Sequence, residues 1–322
     1  MFTHLFAEIC IDGRVGWWRD VGLRLGTTRK GQGQNEDQAS HRDLPGLSED
    51  PRFFFSPEPL RMDITQFGYL QDLPNPADFN FKNSLASRLA VVASGDVDLR
   101  PYCTETIQLS ASSCVGNATA DSVEILDAIE GRPQVQLSRL FVYTLARNLM
   151  DEDRDGRPDT NQDHGTYIRL AFDVLSKFGI CTEAKWPYDL SKLYTLPSLK
   201  AMREATGHHI HSYYRIAETG DDRCDAVLQA LRSNHPVVFG TLIDKAFMNL
   251  SGDTPVGIPS GDTEGGHAMI VVGYLAGLGF IVKNSWGRDW GDFGFWIMEP
   301  EYLGWKKTTD LWVPTSGAAF TQ

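Results

Sequence analysis

Lys283-Asn-Ser-Trp-Gly-Arg-Asp-Trp-Gly291 follows closely on Gly266-His-Ala-Met-Ile-Val-Val-Gly-Tyr274, and this pair decides how the rest of the chain is read. The upstream stretch is dominated by β-branched and large apolar side chains, which fit a pleated, buried surface. Similar short runs surround it at Val237-Val-Phe239, Phe280-Ile-Val282 and Phe295-Trp-Ile-Met298, separated by Gly, Asp and Pro. That pattern predicts successive β-strands. His267 heads the most apolar of them. Taken singly, a histidine there is more often a satisfied core residue, and Asn-Ser-Trp-Gly is more often a turn.

Toward the N-terminus the period changes. After Ser113, an N-cap residue type, apolar side chains fall at Val115, Ala118, Val123, Leu126 and Ile129. This is close to helical spacing, and Gly131 and Pro133 stop it. A second helix is expected over about 138–150 and a third over 166–177, ending at Gly179. Helices first and strands second is an α+β order, which can divide into two lobes with a cleft between them. Cys114 stands at the start of the first helix, where unpaired backbone N–H groups and the helix dipole favour a thiolate. Alone, such a cysteine is more often a buried structural residue.

Taken together, these pieces resemble the papain-like cysteine peptidases over about residues 97–298. Gln108 lies six residues before Cys114, the His267 strand follows, and the Asn284 motif matches nearly residue for residue. The resemblance implies a two-lobed α+β fold with a helical lobe, a barrel-like β lobe and an open cleft suited to extended polypeptide. It implies peptide-bond hydrolysis through a thioester acyl-enzyme, with Cys114 as nucleophile and His267 taking its proton. Asn284 orients the histidine, and Trp286 shields that hydrogen bond. Gln108 joins the N–H of Cys114 in the oxyanion hole, where fixed donors are needed. Gly266, beside His267, and Gly165, in Asp163-His-Gly165, are substrate-contact candidates. Gly165 offers main-chain hydrogen bonds to an extended chain, and a plain turn before a helix is the alternative. Trp186-Pro-Tyr188 resembles the segment after the family's third helix. Two departures, Ala111 and Val115 on either side of Cys114, together with Leu70-Gln-Asp-Leu-Pro-Asn-Pro76, place the chain nearer a bacterial-type branch. The competing readings are a catalytically silent binding protein on this fold and a thiol acyltransferase or isopeptide hydrolase.

Composition narrows the partners. A formal charge of −12 and a pI near 5.1 argue against nucleic acid or an anionic membrane surface. No stretch approaches the roughly 18 apolar residues of a spanning helix, and the first residues lack the pattern of a secretory signal. Five scattered cysteines argue against a disulfide framework and favour a reducing, cytoplasmic setting, with unmarked export as the alternative. The chemistry needs no metal or organic cofactor. Asp151, Asp153, Asp155 and Asp159 match the start of a calcium loop, but Gln162 stands where a bidentate Glu is wanted, so a solvated acidic loop is the preferred reading. His208, His209 and His211 read as a surface loop rather than a metal site.

The chain is expected to divide into four parts. Residues 1–52 form an N-terminal segment that is flexible, since 26–52 are poor in large apolar side chains, and the family resemblance implies that it restrains activity. Residues 53–96 form an ordered extension packed on the catalytic lobes. Residues 97–205 form the mainly helical lobe and 206–322 the mainly β lobe. Members of the family commonly carry an N-terminal segment that blocks the cleft, which implies a zymogen. Phe53–Phe55, Phe67, Tyr69, Leu70 and Leu73 are too apolar to remain in water and are expected to pack on the lobes.

Overall fold

The alternation read around His267 builds the central sheet. The computed structural model describes residues 10, 11, 14, 15, 67–84, 87, 95–150 and 162–317. The chain falls into two compact units, residues 1–57 and 58–322. In the first, β1 (Cys10–Ile11) pairs antiparallel with β2 (Arg14–Val15). The second opens with β3 (Tyr69–Leu70) and β4 (Val97–Asp98), followed by α1 (Cys114–Ile129) and α2 (Arg139–Asn148). Next come β5 (Thr166–Tyr167), α3 (Ile168–Lys177), α4 (Leu199–Ala205), β6 (Ile210–Ile216), α5 (Gly220–Arg232) and β7 (Val237–Asp244). After α6 (Lys245–Met248), the chain runs through β8 (Thr263–Leu275), β9 (Gly279–Lys283), β10 (Phe295–Met298), α7 (Pro300–Gly304) and β11 (Thr309–Gly317).

The later strands form a sheet in the order β10-β9-β8-β7-β11-β6, with β4 also on β8. All the pairings are antiparallel, and register sets His267 opposite Thr241 and Ala268 opposite Gly240. Helix α1 lies against β8 and β11 on one side and α2 and α3 on the other. It is therefore buried almost along its whole length. The fold is the α+β arrangement expected from the order of helices and strands.

A buried ion cluster joins this helix to the sheet. Arg139 of α2 lies 3.0 Å from Asp121 and 3.2 Å from Glu124 on α1. Lys283, at the end of β9, pairs with Asp121 and donates to the Thr106 hydroxyl at 2.7 Å. Burial by itself would raise the Asp121 carboxyl, but Lys283 and Arg139 outweigh it and hold it low. Removing one member of such a cluster leaves a buried charge uncompensated, so the cluster pins helix to strand.

The structure departs from the sequence expectations at four points. Ser113 precedes α1, but its hydroxyl does not cap the helix; it bonds Tyr188 and accepts from Asn117 Nδ2 at 2.9 Å. The third helix begins at Ile168, because Thr166 and Tyr167 are drawn into parallel pairing with β3. Leu73 is 69% exposed, since Asp72 takes the inward place in the extended backbone and its neighbour faces out. His208 is buried against Asp127 at 2.9 Å, and His209 faces the carbonyls of Ser176 and Thr206, so the three histidines do not form a surface loop. Asp151, Asp153, Asp155 and Asp159, Phe53–Phe55 and the segment 26–52 lie outside the described residues.

Candidate active site

The site begins with β8 and β9. His267 Nε2 lies 2.8 Å from Asn284 Oδ1, and both residues are buried. The Trp286 ring stacks on His267 with centroids 4.6 Å apart, and Phe247 and Trp290 close around Trp286. This aromatic cage excludes water from the His–Asn hydrogen bond, and in low dielectric an unsolvated bond is stronger. His267 Nδ1 has no hydrogen-bond partner among the described residues.

Helix α1 brings Cys114 to the same place. The backbone N–H of Ala268, the residue after His267, donates to Cys114 Sγ at 3.4 Å. The N–H groups of Gly68, Val115 and Cys114 itself also point at the sulfur. Gln108 is held beside it on both ends: its Oε1 accepts from the Ser285 hydroxyl at 2.6 Å, and its own N–H donates to the Ser285 carbonyl at 2.8 Å. Its Nε2 donates to the Ala111 carbonyl at 3.2 Å, which leaves the amide's second N–H for another acceptor. Tyr188 stiffens the loop by donating to the Gln108 carbonyl at 2.6 Å. Cys114, Gln108, His267, Asn284 and Trp286 thus converge on one place.

The cleft between these elements is occupied. Residues 67–72 run through it as an extended strap. Gly68 sets its N–H on the thiol and its carbonyl accepts from Thr166 N at 2.9 Å. Any Cβ at Gly68 would overlap the Ser112 carbonyl, so only glycine passes so close to Cys114. Gly165, at φ +88, meets the Gly68 backbone where a Cβ would lie. Its own N–H donates to the Tyr143 hydroxyl at 3.1 Å, so the donor facing the strap is Thr166, one residue on from the sequence candidate. Gly266 lies under the Tyr69 backbone and ring, and Phe67 covers Gly265. The expected blocking element, residues 1–52, lies outside the described residues apart from the β1–β2 hairpin; the contact with the thiol is made by Gly68.

Residues 97–307 match the family described as papain family cysteine protease. The chain belongs to that family. It is thus a hydrolase of the cysteine peptidase class, and its substrates are polypeptides. It is 30% identical over 273 residues to an uncharacterised peptidase C1-like protein of Acanthamoeba polyphaga mimivirus, covering 77% of this chain and 86% of that one. Rat cathepsin S is 29% identical over 236 residues, with 71% of this chain and 67% of cathepsin S covered. Among solved structures, xylellain, a cysteine protease from Xylella fastidiosa, aligns at 29% identity and TM-score 0.66. The alignment covers 79% of this chain and 97% of xylellain, in keeping with the bacterial-type features of the sequence. Among the described residues no helix is long and apolar enough to cross a membrane.

In this papain-family chain burial sets the electrostatics of the pair. Burial pushes the Cys114 thiol up to about 11, against the converging N–H groups. Burial likewise lowers His267 to about 4, with the Asn284 hydrogen bond acting against it. Both shifts favour the neutral form, as desolvation does. Under a seated strap the residues are thiol and neutral imidazole. Ser285 and Tyr188, which fix Gln108 and its loop, were not picked out as site residues from sequence. Ser285 had a signal, since it sits inside the Asn284 motif, but Tyr188 had only its place in Trp186-Pro-Tyr188.

Proposed function

We propose that this chain is a cysteine endopeptidase whose nucleophile is Cys114, assisted by His267, Asn284 and Gln108. His267 takes the thiol proton at its unpartnered Nδ1, and the thiolate attacks the scissile carbonyl carbon. Negative charge gathers on the carbonyl oxygen, where Gln108 Nε2 and the Cys114 N–H are the donors that stabilise it. The tetrahedral adduct collapses as His267 gives its proton to the leaving amine, and a thioester remains on Cys114. Water then attacks the thioester with His267 as base; the acid product leaves and the thiol is restored. Asn284 keeps the imidazole in the tautomer and orientation this needs, under the cover of Trp286.

The observation that carries the reading is the 2.8 Å His267–Asn284 bond under Trp286, on a strand whose next amide touches Cys114 Sγ. Supporting it, Gln108 is fixed by Ser285 with an N–H to spare. We read the folded chain as a closed precursor, because Cys114 and His267 are fully buried beneath residues 67–72. Peptide hydrolysis lost in step with alkylation of Cys114 by iodoacetamide or an epoxide supports the assignment. Activity that persists with Cys114 fully alkylated rejects it. Product analysis in the presence of amine acceptors separates hydrolysis from acyl transfer.

A further inference from the structure

Two stretches of backbone beside Cys114 are tied together by one carboxylate that the mechanism does not use. The first is the lead into α1. Ser112, two residues before the nucleophile, is buried; it donates its backbone N–H to Asp163 Oδ2 at 3.0 Å and its hydroxyl to the Asp163 carbonyl at 2.9 Å. The second is β5, whose Thr166 N–H bonds the Gly68 carbonyl at 2.9 Å. It is tied in through Tyr143 of α2, which is fully buried. The Tyr143 hydroxyl donates to Asp163 Oδ1 and accepts from the Gly165 N–H at 3.1 Å. Burial, together with the Asp163 carboxylate, pushes this hydroxyl well above its usual range, so it keeps its proton and its direction of donation. Gly165, at φ +88, turns successive amides apart: its own points to Tyr143, and that of Thr166 points at the chain lying in the cleft.

From this geometry we infer that Asp163, with Tyr143 as its relay, is a positioning residue that holds the nucleophile in register with the edge of β5. The inference rests on the reading of the cleft as the peptidase site. The strap shows what an extended chain does there. Gly68 sets its carbonyl on the Thr166 N–H and its own N–H on Cys114 Sγ, so edge amide and sulfur stand one residue's width apart. A substrate hung on the same edge meets the sulfur only if that width is kept. Ser112 and Asp163 are 51 residues apart, so a tertiary contact has to keep it. The start of α1 is not fixed by a cap of its own, because the Ser113 hydroxyl is turned to Tyr188. Asp163 joins the two stretches with a charged acceptor, which makes the stronger kind of hydrogen bond. A misplacement of about 1 Å between reacting groups can cost about 10²-fold in rate, so a clamp of this kind acts on the reaction as well as on the fold.

The test uses the full chain at pH 8 and two reagents for Cys114, with the rate of labelling read by mass spectrometry. Iodoacetamide needs only the thiolate, whereas a peptidyl epoxide whose chain runs along β5 needs thiolate and edge together. The ratio of the two rates cancels changes in strap release and in thiolate population. Asp163→Ala should lower the ratio of peptidyl to iodoacetamide labelling by about tenfold or more. Asp163→Asn keeps an acceptor for the Ser112 N–H and should recover part of that loss. Tyr143→Phe removes one hydroxyl, spares the Ser112 contacts, and should lower the ratio about three- to tenfold. A role confined to stability would lower the melting temperature and leave the ratio as it was. An unchanged ratio in either Asp163→Ala or Tyr143→Phe overturns the inference, and if Asp163→Ala does not fold, Tyr143→Phe decides. Labelling of the unaltered chain by iodoacetamide but by no peptidyl epoxide overturns the inference alone. Failure of iodoacetamide as well overturns both the clamp and the active-site reading.

Discussion

The two walls that meet at Cys114 are built on opposite principles. On the His267 side the contacts are apolar and aromatic: Trp286, Trp290 and Phe247 stack around a neutral imidazole–amide hydrogen bond. On the strap side, residues 69–80 are held by charge. Asp310 accepts from Tyr69 and from the Asp72 N–H, both at 2.6 Å, and Trp312 Nε1 donates to Asp72 at 2.8 Å. Asp78 is clamped between Arg169 at 2.8 Å and Arg215 at 3.0 Å. Apolar packing responds little to pH, whereas carboxylates in a tight group titrate. The histidine wall is built to stay in place, and the strap is held by groups whose loss of a proton can release it.

The largest test of the permanent wall is Cys114→Ala. Turnover should fall to background while the melting temperature stays within a few degrees, because one sulfur is removed from a packed helix start and no charge is stranded. Peptidase assays on the purified variant check it, and activity comparable to that of the unaltered protein would refute the nucleophile. Gln108→Ala should lower kcat by about 10²–10³ with a smaller change in KM, the scale for one oxyanion donor. Ser285→Ala removes only the bond that orients Gln108, so a decrease of about tenfold or less, confined to kcat, is expected.

For the anchor beneath that wall, Lys283→Ala should destabilise the fold by about 3–5 kcal/mol in urea titration, since it leaves Asp121 buried and short of a partner. An unchanged midpoint would mean that Arg139 alone compensates Asp121.

The strap answers to pH, and the sign can be derived. Burial and the neighbouring Asp310 push the Asp72 carboxyl from 3.8 up to about 7, with Arg169 and the Trp312 hydrogen bond acting against them. The seated strap thus binds more protons than a released one at intermediate pH. Its advantage is complete below about 3.8 and is lost as pH rises through about 7. Arg215 and Asp78 also face this cluster. Asp72→Asn mimics the protonated acid and should keep the strap seated at all these values. The rate of Cys114 alkylation in the unaltered chain, divided by that in Asp72→Asn, should therefore climb about tenfold or more between pH 4 and 8. A flat ratio breaks the contrast between the two walls. The smallest effect expected is that of EDTA, which should leave peptide hydrolysis unchanged. Loss that calcium restores would give a structural role to Asp151, Asp153, Asp155 and Asp159.

Much of the fold was legible because it is local. The period at Val115, Ala118, Val123, Leu126 and Ile129 encodes α1, and Gly131 ends it. The β-branched run after His267 encodes β8, and the paired prolines and glycines mark the connections. The residues that converge on the thiol were legible for a second reason. Gln108, Cys114, His267 and Asn284 sit in short motifs whose residue types are chemically restricted, so their order along the chain carries information before any fold is known.

What the amino-acid sequence determined by itself was therefore the set of elements and the family of chemistry. Tertiary structure alone decided what lies in the cleft. Tyr69 and Asp310 are 241 residues apart, and no propensity or spacing connects them. The same holds for Gly68 against Ser112, and for Lys283 against Asp121. The Tyr69 contact exists because antiparallel register puts Gly240 beside Thr309, and the Gly68 crossing because a glycine lets two backbones approach. Register and close approach are properties of paired chains, fixed only when distant segments meet. For that reason the strap's anchor and the pocket it fills had no signature in any single stretch of sequence.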